Sequence, residues 1–261
     1  MKVLARIVEA KRREVEALAA TPRRPSDRSP LDVPRALRRD GGPLRLIAEV
    51  KLRSPSAGAL SRALAPEARA LAYARGGAAM VSVLCDGPFF DGSWEHLAAA
   101  RAAFDAAGLA VPLLAKEFVL DPRQIAEARD RGADAVLLIA RIVDRRELPT
   151  LVSAARTEGL EPFVEVVDEA ELDVALAAGA RVVGVNTRDL DTLQMDPARA
   201  ARVVERIPRD RVAVHLSGIG SPEAVAAVAR GRPDAALVGE ALMRADDPAP
   251  MLASMLASAG N

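Results

Sequence analysis

The sequence predicts an α/β fold: a single (β/α)8 barrel preceded by extra N-terminal helices. Three observations lead there. Eight short apolar runs appear between residues 46 and 239, each followed by a longer Ala-, Arg- and Glu-rich stretch with helical spacing. The runs recur roughly every 20–35 residues, the length of a strand plus a crossover helix. No composition break divides the 261 residues into two domains. A doubly wound open sheet would carry G-x-G-x-x-G after its first strand, and none follows here.

Residues 1–20 read as a charged amphipathic helix with Val3, Ile7, Val15 and Leu18 as its apolar positions. Residues 21–30 hold three prolines and read as a loop, and residues 31–40 as a second short helix. Residues 1–45 are therefore expected to form an N-terminal helical extension, and residues 46–261 the barrel. The strand runs are LIAEVK (46–51), AMVSVL (79–84), PLLAK (112–116), AVLLI (135–139), PFVEV (162–166), VVGVN (182–186), VAVHLS (212–217) and AALVG (235–239). Small-residue turns such as ARGGA (74–78), DRGAD (130–134) and LAAGA (176–180) supply the glycine expected just past a helix end.

Composition narrows the function. With 36 Lys+Arg against 36 Asp+Glu, the formal net charge is zero, unlike a nucleic-acid binder with its basic excess. Aromatics are 3% of residues, too few for a surface that stacks exposed bases. The one cysteine, Cys85, allows no intramolecular disulfide and no multi-thiolate zinc cluster. No apolar run approaches the roughly 18–20 residues of a membrane span, and the charged N-terminus does not suit a signal peptide. A reducing, cytoplasmic setting is the expectation.

In this architecture chemistry belongs at the C-terminal ends of strands. The polar residues there are Glu49, Lys51, Cys85, Asp86, Lys116, Glu117, Glu165, Asn186, Ser217 and Glu240. Any one of them can simply mark where the chain meets water. Lysine usage is more telling, because the chain has four lysines (Lys2, Lys11, Lys51, Lys116) beside 32 arginines. Where a plain positive charge suffices this sequence writes Arg, yet Lys51 and Lys116 end strand runs one and three. Lysine is a compact donor whose pKa responds to burial, so it suits proton transfer. Likewise the only internal asparagine, Asn186, ends strand run six.

Ser217-Gly218-Ile219-Gly220 and Gly239, after runs seven and eight, sit where this fold commonly cradles phosphate on backbone N–H groups, although ordinary turn glycines fit too. Ser54-Pro55-Ser56 with Gly58 reads either as a lid or substrate contact or as a plain connecting loop. The Phe89-Phe90 pair in DGPFFDG (86–92) reads either as a wall for a flat apolar group or as a loop folded onto the barrel.

Taken together these residues resemble the indole-3-glycerol phosphate synthase family. The motif IAEVKLRSPSAG (47–58) is similar to the family's I-A-E-V-K-x-x-S-P-S-x-G, and LAKEFVLD (114–121) to its L-x-K-D-F, with Glu117 for the usual Asp. EVVDEAELDVALAAGA (165–180), GVNTRDL (184–190), FFDGS (89–93) and LLIARI (137–142) match in the right order, across roughly residues 45–245. The resemblance implies closure and decarboxylation of 1-(2-carboxyphenylamino)-1-deoxyribulose 5-phosphate to indole-3-glycerol phosphate, with loss of CO₂ and water, in tryptophan biosynthesis. It implies Lys116 as general acid at the ketone and Glu165 as the carboxylate for the later dehydration. By the same resemblance Lys51 is expected to bind substrate, near the phosphate, and to share acid duty, with Glu49 and Asn186 contacting hydroxyls or positioning Lys51. The resemblance further implies Ser54, Phe89, Arg188 and Ser217 as substrate contacts, with Phe89 near the ring, and Gly218, Gly239 and Glu240 in the phosphate site.

No metal or organic cofactor is implied, and His96 and His215 are expected to be structural. The implied partner is a small phosphorylated substrate, with no nucleic acid and no membrane; the chain is expected as a monomer, a homodimer being the alternative. Cys85 stands where the family often has Thr or Ser, and Leu216 where it usually has Glu before S-G-I. Leu216 keeps alive a repurposed or weakly active paralogue that binds another phosphorylated ligand. A Schiff-base lyase with Lys116 as nucleophile is the other alternative.

Overall fold

The structure is a computed structural model that describes residues 3–18, 27–55, 57–189, 192 and 194–260. Strands in a closed barrel send alternate side chains inward and outward, so the apolar runs must become eight strands, each with two buried faces. They are β1 (Arg45–Val50), β2 (Met80–Leu84), β3 (Leu113–Lys116), β4 (Ala135–Ile139), β5 (Glu161–Val166), β6 (Val182–Asn186), β7 (Val212–Leu216) and β8 (Ala235–Val238). Each is parallel to the next in chain order, and β8 pairs with β1 to close the barrel. The fold class is the expected one, and no strand end departs from its apolar run by more than one residue.

Alternation divides the strand residues into two clusters. Ile47, Met80, Leu114, Leu137, Phe163, Val182, Val214 and Leu237 form the barrel interior. Their neighbours Leu46, Val81, Leu113, Val136, Val164, Val183, Ala213 and Ala236 pack outward, with the crossover-helix residues Leu97, Phe104, Ile125 and Leu172 in the same cluster. The two-residue strands Arg53–Ser54 and Gly58–Ala59 pair antiparallel above β1, so the expected loop there is a small hairpin.

Helices from the N-terminal segment sit at both ends of the barrel. Helix α1 (Val3–Leu18) approaches the C-terminal strand ends, and α2 (Val33–Leu37) buries Val33 and Leu37 in the interior cluster. The second helix is shorter than the expected 31–40, because Arg38 turns extended and gives its N–H to the Pro34 carbonyl. Arg38 then donates to the carbonyls of Arg209 and Asp210 at 2.9 and 2.8 Å, while buried Asp134 accepts from Leu31 N–H at 2.7 Å and Leu113 N–H at 2.8 Å. In α1 the buried stripe is Leu4, Ile7, Lys11 and Val15, whereas Val3 and Leu18 are half-buried. That corrects the expected apolar face, which omitted a lysine in its middle. Residues 1–2, 19–20 and 21–26 of the expected first helix and loop lie outside the described residues.

Residues 86–92 were expected as a loop and contain a short helix, Gly87–Phe90, because Asp86 Oδ2 accepts from the N–H groups of Phe89 and Phe90. No described helix is long and apolar enough to cross a membrane.

Gly184 on β6 sits where the interior leaves no room for a side chain. A Cβ there would lie 2.6 Å from Phe163 Cε1 and 2.7 Å from Leu216 Cδ1. Gly184→Ala is expected to lower unfolding free energy by about 1–3 kcal/mol through overpacking. Urea titration checks this, and a midpoint equal to that of the native chain would show that the interior yields at this layer.

Candidate active site

The interior rows continue past their last apolar residues into a polar layer. On β1, Ile47 is followed two and four positions later by Glu49 and Lys51; on β3, Leu114 by Lys116; on β5, Phe163 by Glu165. β6 ends its inward row with Asn186, β7 with Leu216, and β8 leads from Leu237 to Gly239. These groups border one cavity of about 430 Å³. Strand parity alone thus brings Glu49, Lys51, Lys116, Glu165 and Asn186 to one place, and leaves Cys85 and Asp86 outside the cavity.

Two lysine–carboxylate pairs occupy the cavity floor. Lys51 Nζ donates to Glu49 Oε2 at 2.8 Å, and Lys116 Nζ to Glu165 Oε2 at 3.0 Å. Asn186 Nδ2 donates to the other oxygen, Glu165 Oε1, at 2.8 Å, and Asn186 Oδ1 accepts the Arg188 N–H at 3.0 Å. Asn186 therefore orients Glu165 in this structure, and Glu49 is the group that meets Lys51. Burial alone would lower the pKa of Lys116, but Glu165 and Glu49 outweigh it and hold the ammonium above its ordinary range. Burial likewise would raise Glu49, and Lys51 and Lys116 reverse that, keeping its carboxyl below the usual range.

Across the barrel from β3 lies β7, four strands away in the closed order. Here Ser217 and Gly218 take left-handed φ values of 68° and 82°, turning the loop's backbone toward the cavity. His215 Nε2 lies 3.1 Å from the Ser217 carbonyl and 3.3 Å from Thr187 Oγ1, which itself donates to the Leu216 carbonyl at 3.0 Å. Gly239 precedes the helix Glu240–Arg244, and Glu240 and Ala241 line the cavity. The first N–H groups of a helix have no intrahelical acceptor, so this end offers donors to an anion. Gly239 also answers to its neighbours, since a Cβ on it would lie 2.6 Å from Glu49 Oε2 and 3.2 Å from Lys51 Nζ.

The β2–β3 side of the cavity is apolar. Phe90 and Phe118 line it, with ring centroids 5.8 Å apart, and Val3, Leu4 and Ile7 of α1 complete the wall. Phe89, the residue singled out from the sequence, packs against the interior cluster, and the cavity wall is its neighbour Phe90. Ser54 is buried beside Pro55 at the rim, its Oγ accepting from Ala57 N–H at 3.0 Å; Ser56 lies outside the described residues. Leu216 is 2% exposed and packs into the interior cluster, so the barrel mouth is apolar at that strand. Cys85 faces the outer cluster, where burial pushes its thiol well above the ordinary pKa. Of the Phe89-Phe90 pair read as a wall, Phe90 lines the cavity; sequence reasoning missed Phe118 and α1 as a wall.

The family profile described as indole-3-glycerol phosphate synthase matches residues 4–255. The chain is 48% identical over 241 residues to "Indole-3-glycerol phosphate synthase 2" of Streptomyces coelicolor, covering 92% of this chain and 87% of that one. It is 43% identical over 227 residues to an indole-3-glycerol phosphate synthase of Mycobacterium ulcerans, covering 87% and 81%. Among solved structures, 3-hexulose-6-phosphate synthase from Salmonella typhimurium superposes with a TM-score of 0.64 at 19% identity, over 82% of this chain and 98% of that one. Thiamine phosphate pyrophosphorylase from Pyrococcus furiosus gives 0.62 at 17% identity, over 84% and 96%. These two likenesses concern the barrel fold alone.

The depressed Glu49 carboxyl makes a stability prediction with a definite sign. A group whose folded pKa lies below its unfolded value contributes stability above the latter and loses it as pH falls through the former. Glu49→Gln should therefore trail the native chain in stability above pH 4.5, with the gap closing as pH drops further. Chemical denaturation of both proteins across the acid range checks this; a gap independent of pH would show that folding leaves the Glu49 pKa unchanged.

Proposed function

The chain belongs to the indole-3-glycerol phosphate synthase family, and from that premise we propose how its own residues divide the reaction. The activity is that of a carboxy-lyase: it converts 1-(2-carboxyphenylamino)-1-deoxyribulose 5-phosphate to indole-3-glycerol phosphate, CO₂ and water, in tryptophan biosynthesis.

Lys116 is the general acid. Its ammonium donates a proton to the ketone oxygen as the ring carbon bearing the carboxylate bonds to the ketone carbon. The carboxylate then leaves as CO₂, and its bonding pair restores the aromatic ring. Lys51 supplies the second proton, on which the new hydroxyl departs as water, and Glu165 accepts the proton released from the carbon next to nitrogen. The observation that carries this reading is the chain Lys116–Glu165–Asn186, an acid and a base joined at 3.0 Å and held at one edge by an amide. The same pairing counts against the Schiff-base alternative, which needs a neutral amine, because Glu165 and Glu49 keep Lys116 charged against its burial.

The rest of the cavity suits the two ends of the substrate. Backbone N–H groups at Ser217–Gly218 and Gly239–Glu240, with Lys51 beside them, take the phosphate, and Arg188 and Ser54 contact the sugar side. Phe90 and Phe118 take the aromatic ring, in place of Phe89. Every proton in this scheme comes from a side chain, so no metal or organic cofactor is called for. The chain works as one unit, with residues 1–45 an extension of the barrel at 46–261, as a cytoplasmic monomer.

Lys116→Ala should cut kcat by about 10²–10⁴-fold with little change in KM, since it removes a positioned acid. Lys116→Arg should fail as well, because a guanidinium does not release its proton near neutral pH. Indole fluorescence of the product follows both, and near-native turnover in Lys116→Ala would end the assignment.

Two glycines separate the phosphate end from the proton-transfer groups. Gly220→Ala adds a methyl group into open space at the cavity rim and should raise KM alone. Gly239→Ala would displace the Glu49–Lys51 pair and should lower kcat as well as raise KM. Identical kinetic signatures in the two variants would contradict the placement of Lys51.

A further inference from the structure

Lys11 takes no part in the reaction as divided above, yet among the described lysines it is the most deeply buried, at 1% exposure against 17% for Lys51 and Lys116. It sits mid-stripe on α1, where the helix would otherwise present an apolar side chain. Its Nζ lies 2.7 Å from Glu14 Oε2, 2.8 Å from Asp86 Oδ1 and 3.1 Å from Glu117 Oε1. These carboxylates come from α1 itself, from the turn after β2 and from the end of β3.

Each of the two barrel carboxylates also holds backbone at an aromatic side chain. Asp86 Oδ2 accepts from Phe90 N–H at 3.1 Å as it caps the short helix, and Glu117 Oε1 accepts from Phe118 N–H at 2.6 Å. Phe90 and Phe118 are the rings of the cavity wall, and Leu4 and Ile7, two turns and one turn before Lys11 on α1, complete it. One ammonium thus joins the three segments that make this wall. A compact ammonium with three donors can meet three carboxylates around a point, which a planar guanidinium cannot, and this chain uses lysine here despite its 32 arginines. Burial pushes the Glu117 carboxyl up to about 7 against the pull of Lys11, so without the lysine that carboxyl would be driven further toward its neutral form and the three segments would lose their shared ion pair.

We propose that Lys11 is a positioning residue, an ion-pair hub that fixes α1, Phe90 and Phe118 as one wall, so that it governs binding of the substrate's ring and not of its phosphate. This rests on the reading above in assigning the ring to that wall. The topology supports the separation, because the end of β3 and the loop after β7 stand on opposite sides of the closed barrel.

The test uses the full chain and three variants. Lys11→Met removes the charge and keeps the bulk. Lys11→Met/Glu117→Gln also removes one stranded carboxylate, and serves if the single variant does not fold. Lys11→Arg keeps the charge and loses the three-way geometry. In either Met variant, KM for the carboxyphenylamino sugar phosphate and the inhibition constant of anthranilate should both rise about tenfold or more, from a displaced wall. Inhibition by inorganic phosphate should stay within about twofold of the native chain, with Lys11→Arg intermediate for the ring probes. Amide hydrogen exchange should show lost protection over residues 3–18 while the barrel strands keep theirs. Equal weakening of both probes, or of neither, overturns the hub as a ring-side device. Should the native chain fail to turn over the sugar phosphate, the reading of the reaction fails; unchanged exchange of α1 in Lys11→Met would separately overturn the hub.

Discussion

Charged groups withdrawn from water must find their counter-charges among the strand ends, and this constraint shapes the upper half of the molecule. Lys51 and Lys116 are each 17% exposed, and their carboxylate partners are nearly fully buried. At Lys116 desolvation pushes toward the neutral form, and Glu165 and Glu49 restore the charge. Glu49 can serve Lys51 because two residues along a strand return to the same face. Glu165 can serve Lys116 because β5 stands two strands from β3 and the curved wall turns both side chains inward. A one-residue slip in register would break the Lys116–Glu165 pairing and turn the Glu49–Lys51 pair out of the barrel, so closure of the barrel and the ionic state of the site are one requirement.

The same closure separates two kinds of cavity lining. Backbone donors gather after β7 and β8, apolar rings gather after β2 and β3, and the two lysine–carboxylate pairs occupy the floor. The donor side requires backbone in the left-handed region at Ser217, which costs a non-glycine residue conformational energy. Hydrogen-bond geometry shows what offsets that cost: His215 reaches the Ser217 carbonyl, and Thr187 reaches the carbonyl just before it. His215 points outward from β7 and so supports the loop from behind, with burial lowering its pKa and keeping the ring neutral at physiological pH.

Much of this was legible because the signals were local. Continuous short apolar runs and glycines at helix ends place eight strands, and the rarity of lysine and asparagine marks Lys51, Lys116 and Asn186. The unread parts depend on contacts between distant segments. That Asn186 serves Glu165, 21 residues away, follows from the β5–β6 register and not from either motif. Phe90 replaces Phe89 at the wall because Asp86 caps a turn of helix there, and adjacent residues on a helix face about 100° apart. Lys11 carried the same rarity signal as the other lysines, and it interrupts the stripe formed by Leu4, Ile7 and Val15. A charge in the middle of an apolar stripe is a sequence-level sign of a buried partner, and the structure supplies three.

Leu216 shows how far the pairing constraint reaches. From the resemblance, a carboxylate expected on β7 is missing, and a site built around two lysines would then be short of negative charge. The structure places the lysines differently from that expectation. Each already has its own carboxylate, so their charged forms do not wait on β7. With two ammonium groups and two carboxylates the floor is balanced without a third carboxylate on β7. Leu216 instead closes the interior beneath the polar layer, resting where Gly184 leaves room and where Phe163 comes within contact. The small residue on β6 and the large one on β7 therefore form a single packing decision, which gives up a charge at the mouth and gains a dry floor under Glu165 and Asn186. A dry floor strengthens the hydrogen bonds above it, because a lower local dielectric raises the energy of every ionic contact it borders.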